Sequence, residues 1–286
     1  MDFKNTCIIV DSSSGIKNNE IKNVFMEPLE IIETTSDNKE IFYKDNIDID
    51  SKMIIEKIKH NIDLKTSQTP IGIKTELIEK LLKTYTTIFV IPISSGISGA
   101  FQSWQMVRNE IGNKNVHILD VEDICVGTQN IVSDILDMIS KNKTVDDVLE
   151  YVENRKKRRF GVLIVNDISQ LKKGGRISGF KAMIVKALKM NLLINFDGKL
   201  TYFDKEISET KAIDKAYEKI NDEIDFKTKG IKRIFMYTTY LDESINKTLA
   251  DKISQKIGMP IKYYVFPPSI AIHTGFGTFA LFVESN

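Results

Sequence analysis

Three groups of small polar residues carry the chemistry this chain offers. Asp11-Ser12-Ser13-Ser14, Ser94-Ser95-Gly96 and Asp120 each follow directly on an apolar run. The runs are Thr6-Cys7-Ile8-Ile9-Val10, Ile88-Phe89-Val90-Ile91-Pro92 and Val116-His117-Ile118-Leu119. Short apolar runs bounded by turn residues read as strands of a parallel sheet covered on both faces. In such a sheet ligands bind outside the carboxyl ends of the strands, beside helix N-termini. Hydroxyls and open backbone N–H groups there receive an anionic oxygen. Clusters at three strand ends therefore point to an anion-recognising site, while any one of these serines also suits a helix cap or a turn.

Covalent chemistry is the alternative. Ser95, Asp120 and His273 stand in the chain order of an α/β-hydrolase triad. A nucleophile elbow, however, needs G-x-S-x-G with the serine at the strand-to-helix turn. Gly96-Ile97-Ser98-Gly99 misses that pattern by one residue, and Ser95 is preceded by Ile93-Ser94. Nucleotide-binding loops of the G-x-x-x-x-G-K-[ST] or G-x-G-x-x-G type are absent, and Lys173-Gly174-Gly175-Arg176 reads first as a turn. His60 and His117 fall in helix-like and strand-like contexts. His273 differs, because it heads His273-Thr274-Gly275-Phe276-Gly277, where glycine lets the backbone approach a ligand closely. Cys7 and Cys125 have neither CxxC nor Cys/His ligand spacing, so no disulfide scaffold, zinc module or other metal site is expected.

The elements that must position these residues form two alternating series. Short strands fall near 29–33 and 40–43, and Asp50-Ser51 caps a helix whose Met53, Ile54, Ile58 and Ile62 recur at helical spacing. Residues 66–70 break it, and 73–84 resume another helix. Phe101, Trp104, Val107 and Ile111 mark one face of the next, and helices follow over 125–140 and from 144 to Arg155. The run Arg155-Lys156-Lys157-Arg158-Arg159 complements a helix dipole as a solvated C-terminus, with a phosphate or partner patch as the other use. A second block opens with the strand 160–165. It carries sheet-like 192–202, helices over 207–224 and 242–257, the strand 234–238 and the apolar 280–283. A soft boundary near residue 158 divides an α/β chain into domains 1–158 and 159–286.

Composition narrows the function classes. The chain has 286 residues, 42% hydrophobic and 28% charged, with a formal charge of +1. That suffices for a packed core in one large or two moderate domains and excludes a disordered chain. A balanced charge argues against nucleic-acid binding by bulk electrostatics. No apolar stretch approaches the roughly 18 residues that span a bilayer. The first apolar run is too short for a signal-peptide core. A soluble, cytoplasmic protein without stable membrane insertion is expected, and the heavy use of Lys, Ile and Asn suggests an AT-rich bacterial gene.

Five blocks taken in order resemble the DegV family of bacterial fatty-acid-binding proteins. They are Val10-Asp11-Ser12-Ser13-Ser14, Thr66-Ser67-Gln68-Thr69-Pro70, the segment from Ser94-Ser95-Gly96 through Gln102-Ser103, Leu171-Lys172-Lys173-Gly174-Gly175-Arg176-Ile177, and His273-Thr274-Gly275-Phe276-Gly277. Singly each is weak, but jointly they span nearly the whole chain. The resemblance implies a two-domain DegV-like fold, with an N-terminal parallel-sheet α/β domain, a C-terminal mixed α/β domain and a lipid site between them. It implies one long-chain fatty acid in an apolar tunnel, no cofactor besides that lipid, and no catalytic residue. The carboxylate falls to Thr66 and Ser95, with Ser94 the neighbouring alternative and His273 close to the same head group. Asp11, Ser12, Ser67, Gly96, Thr274 and Gly275 are its surroundings. A protonated His273 would add a charge-assisted bond. Some members are the B components of bacterial fatty acid kinase, which present the acid to a kinase subunit that makes an acyl phosphate for phospholipid synthesis. Arg176 is then a contact for that partner or for phosphate. Thr69, Val121, Cys125 and Phe276 depart from the family's usual residues and bear on the tunnel's shape.

Overall fold

The computed structural model describes residues 1–176 and 190–286, so Ile177 of the fourth block lies outside the described residues. The chain divides into two compact units, residues 1–50 with 65–156, and residues 51–64 with 157–286.

Unit one opens with β1 (Thr6–Asp11), β2 (Val24–Glu27), β3 (Glu30–Thr34) and β4 (Glu40–Lys44). After α1 (Ser51–Lys59), which belongs to unit two, come β5 (Asp63–Ser67), α2 (Ile71–Leu82), β6 (Thr87–Ile91) and α3 (Ala100–Ile111). β7 (Val116–Ile118), α4 (Cys125–Ser140) and α5 (Val145–Lys156) complete it. A parallel sheet runs in the order β2-β1-β6-β7, and a smaller one in the order β4-β3-β5. The unbroken apolar run of β1 has a simple cause, since alternate side chains of a strand face opposite sides. Ile8 and Val10 pack with Ile131 and Ile135 of α4 and Val148 of α5. Cys7 and Ile9 pack with Ile78 and Leu81 of α2 and Trp104 and Val107 of α3. Each large apolar side chain buried this way contributes roughly 1.5–3 kcal/mol.

Two strands depart from the sequence expectation. β2 has four residues between Asn23 and Pro28, too few to show a period. Thr66 and Ser67 close β5, where a helix break was expected, because β5 finds a tertiary partner in β3.

Unit two contains β8 (Arg159–Val165), α6 (Ser169–Lys173), β9 (Asn191–Phe196) and β10 (Leu200–Glu206). It continues with α7 (Glu209–Ile224), α8 (Phe226–Lys229), β11 (Ile231–Thr238), α9 (Glu243–Ile257), β12 (Lys262–Val265), α10 (Pro268–Thr274) and β13 (Thr278–Ser285). The sheet order is β10-β9-β8-β13-β11-β12, antiparallel except for the β11–β12 pair, so this unit is mixed. Side chains of Ser208 and Asp242 accept from Lys211 N and Ser244 N, which starts α7 and α9. The helices then lay Ala212, Ala216, Ile220, Leu249 and Ile253 against Val162 and Ile164 of β8. His273 sits in the last turn of α10, where a turn alone was expected. Pro268 begins that helix, and Gly275 ends it at φ 77°. No helix among the described residues is long and apolar enough to cross a membrane.

Candidate functional site

In unit one the three polar clusters meet at the carboxyl ends of β1, β6 and β7. Asp11 is the last residue of β1 and is buried. One of its oxygens accepts from Ser13 N at 3.1 Å and from the Ser13 hydroxyl, and the other accepts from Ile93 N at 2.6 Å. Asp120 Oδ1 accepts from Ser95 N at 3.2 Å and Glu122 N at 3.3 Å. The two aspartates thus hold the 93–95 loop from both sides through its backbone. Ser94 is buried and Ser95 half-buried, and the Ser95 hydroxyl has no partner among the described residues. Gly96 is exposed beside them. Ser12 is turned inward instead, donating to buried Asp45 at 2.7 Å and accepting from Leu29 N at 3.0 Å. Its hydroxyl serves the fold. Thr66 is half-buried near the end of β5, and Ser67 Oγ donates to Gln68 O at 3.2 Å.

Beneath that loop lies a charge cluster that sequence reasoning missed. Lys74 is fully buried on α2, and its Nζ donates to Ser103 Oγ at 2.6 Å and sits 5.1 Å from the Trp104 ring centroid. Lys74, Ile78 and Leu81 are the buried residues of α2, so a lysine stands where the apolar stripe calls for an aliphatic residue. That spacing was the available signal. Burial pushes the Lys74 ammonium down, opposed by the charges of Glu27 and Asp11. Burial pushes the Asp11 carboxyl up, opposed by the bonds from Ser13 and Ile93 and by the Lys74 charge. Burial pushes Glu27 up to about 7, against the Lys74 charge, with Asp11 and Glu30 adding to the rise.

Arg155 gives a second buried charge, where a solvated helix end was expected. Its Nη1 meets Asp123 Oδ2 at 2.8 Å, with both side chains buried. A Cβ at Gly127 would lie 2.1 Å from Asp123 Oδ1, so only glycine leaves room for that carboxylate. The pair fastens α5 to the segment that follows Asp120.

Unit two holds the other candidates in one corner. The His273 ring lies on the Gly174 backbone, where a Cβ would come within 2.5 Å of Nδ1. Arg176 Nη1 donates to Gly174 O. Burial, with the Arg176 charge beside it, pushes the His273 imidazole down to about 3. The ring is therefore neutral near pH 7, and the charge-assisted bond considered above gives way to one from a neutral imidazole. Thr274 is buried with its hydroxyl on Ile270 O at 3.2 Å, so that group too serves the fold. Gly275 adopts φ 77°, and a Cβ there would meet Gln170 Cγ at 3.3 Å and Asp167 O at 3.4 Å.

The hydrolase alternative finds no support. Asp120 Oδ1 is engaged by two backbone N–H groups, and an imidazole held near 3 is a poor general base at neutral pH.

Residues 5–286 match the family model described as an uncharacterised protein of the DegV family. The chain belongs to the DegV family. The relative called Protein DegV from Bacillus subtilis is 30% identical over 224 residues, 77% of this chain and 78% of its own length. A crystal structure from Bacillus subtilis, described as DegV, a fatty acid binding protein, superposes with a TM-score of 0.80 at 26% identity, covering 99% of this chain and 100% of that one. A fatty acid binding DegV family protein from Streptococcus agalactiae gives a TM-score of 0.84 at 22% identity over 98% and 99% of the two chains, a likeness of fold. The DegV architecture, a parallel-sheet unit with a mixed-sheet unit, is thus this chain's own.

Proposed function

We propose that this chain binds a long-chain fatty acid in an apolar tunnel and holds the carboxylate with the hydroxyls of Thr66 and Ser95, Ser94 being the alternative donor. His273 is the further head-group residue in this reading, donating as a neutral imidazole, and Gly96, Ser67 and Gly275 are the expected surroundings. The observation that carries it is the Ser95 hydroxyl, unpaired among the described residues on a loop that Asp11 and Asp120 hold rigid. It stands in a chain whose Bacillus subtilis relative is described as fatty acid binding.

Energetics agree with such a role. Burying about 14 methylenes at about 0.8 kcal/mol each gives on the order of 11 kcal/mol before ordering costs. The head group then needs orientation more than affinity, and neutral donors supply it. Lipid extracted from the purified protein and weighed by mass spectrometry tests the reading. Absence of fatty acid, together with no binding by delipidated protein, refutes it. Thr66→Ala and Ser95→Ala should each weaken binding by roughly 1–3 kcal/mol, by leaving the carboxylate underbonded.

The same reading makes the chain a carrier that presents its acid to a fatty acid kinase subunit for acyl-phosphate formation. Arg176 is the partner or phosphate contact. It is half-buried, and burial alone lowers its pKa. Pull-down of a fatty acid kinase catalytic subunit with wild type and Arg176→Ala checks that step, with capture by the wild type and loss in the variant expected.

A further inference from the structure

Glu27 is buried, and neither of its carboxylate oxygens has a hydrogen-bond partner among the described residues. An ionised carboxylate left that way is expensive, and a protonated one is not. Its position is not incidental to the head-group region. Glu27 and Asp11 are register partners at the carboxyl ends of β2 and β1, and Asp11 in turn holds Ile93 N, directly before Ser94 and Ser95.

The groups acting on Glu27 come from several elements. Asp11 lies on β1, Lys74 on α2 and Glu30 on β3, and Thr69 stands in the segment before α2. Thr69 spends its proton on Pro28 O at 2.6 Å. Asp45 is buried behind Ser12 and takes that hydroxyl at 2.7 Å. With Asp11 ionised and Lys74 protonated, the three groups carry one net negative charge when Glu27 is ionised, and none when it is protonated. An anion on Ser94 or Ser95 brings a further negative charge to the same dry region, where charge interactions are weakly screened.

We propose that an anionic head group at Ser94–Ser95 and a proton on Glu27 bind together, so that carboxylate arrival is matched by proton uptake. The inference rests on the carboxylate-binding reading above and deepens it. The coupling runs both ways, because a proton on Glu27 must favour the anion as much as the anion favours the proton. Glu27 titrates at about 7 without ligand, so most of its sites are empty at pH 8 and able to take a proton. Above neutrality affinity then falls with pH, by at most about tenfold per pH unit.

The test uses oleate, titrated calorimetrically into the delipidated full chain at pH 8 in Tris and in phosphate. The enthalpy difference between buffers counts the protons exchanged. Uptake of between about 0.3 and 1 proton per oleate is expected for the wild type, and close to none for Glu27→Gln, whose affinity is also level between pH 7 and 9. Oleate binding without proton uptake, or uptake that survives Glu27→Gln, overturns the coupling and leaves the binding function standing. A wild type that binds no oleate overturns both. Should the variant fail to fold, carboxyl carbon NMR of Glu27 in the wild type reads the same linkage. Its pKa rises on adding oleate if the coupling holds and is unmoved if it does not.

Discussion

Burial works against the charged form of both Glu27 in unit one and His273 in unit two, but from opposite directions. Burial pushes the acid up to about 7 and the base down to about 3. Around Glu27 the neighbours are charged, with Lys74 moderating two carboxylates. Around His273 lie the Gly174 backbone, packed against the ring, and the Arg176 cation. The contrast shows that environment rather than residue type sets which charges exist in the two regions. It also gives the two regions opposite responses to acid.

The sharpest way to break that contrast is to remove the lysine. Lys74→Met leaves Asp11 and Glu27 in the dry cluster without their counter-charge, and should cost about 3–5 kcal/mol in denaturant unfolding at pH 8. Adding Glu27→Gln removes one of the stranded charges, so the double variant should unfold later than Lys74→Met alone. Arg176→Ala in unit two should cost about 1 kcal/mol or less, since that cation pairs with no carboxylate among the described residues and its departure eases His273. Equal losses for the two cations would erase the distinction.

Acid titration comes next. The His273 pKa is lowered on folding, so between about 3 and 6.5 the unfolded chain binds the proton and the folded chain does not. Stability from this group is therefore complete above 6.5 and is lost as pH falls through that window, by up to about 5 kcal/mol. His273→Gln should flatten the loss. Glu27 runs the other way. Its pKa is raised from 4.5 to about 7, so the folded state holds the proton more tightly and loses about 3 kcal/mol as pH climbs between those values. Glu27→Gln should remove that decline while leaving the acid side unchanged. Two slopes of the same sign in wild type and variants would dissolve the comparison.

Much of the framework was legible because the parallel sheet is covered on both faces. Ile8, Val10, Cys7 and Ile9 had to be apolar without a break, and the turn residues after them marked the strand end where Asp11 holds Ile93 N. The charge cluster was not legible for the same reason that makes it unusual. Glu27 ends a four-residue strand with no period to read, and Lys74 needed the apolar stripe of α2 to be counted before it stood out. Arg155 looked like one of five solvated cations, because nothing local distinguishes the residue that finds Asp123, 32 positions earlier. Ser12 and Thr274 looked available, since hydroxyls are counted in sequence while their partners, Asp45 and Ile270 O, are set by folding.

The smallest effect isolates what glycine does for His273. Gly174 has φ −72° and ψ −12°, a conformation alanine adopts readily, so Gly174→Ala carries no backbone penalty. What opposes it is the ring, since the new Cβ would stand 2.5 Å from Nδ1 and 3.2 Å from Cε1. Overpacking of that kind costs about 1–3 kcal/mol. Gly175, its neighbour, is the reverse case, with φ +67° and no atom of the described residues within 4 Å of where a Cβ would go. Alanine there costs about 1–2 kcal/mol through the left-handed backbone alone. A double-mutant cycle with His273→Ala separates the two causes, because only a steric cost disappears when the ring is gone. Gly174→Ala should couple to His273→Ala by about 1–2 kcal/mol in denaturant unfolding, and Gly175→Ala by nearly nothing. Coupling at Gly175, or none at Gly174, would mean that the imidazole is held by something other than the backbone it lies on.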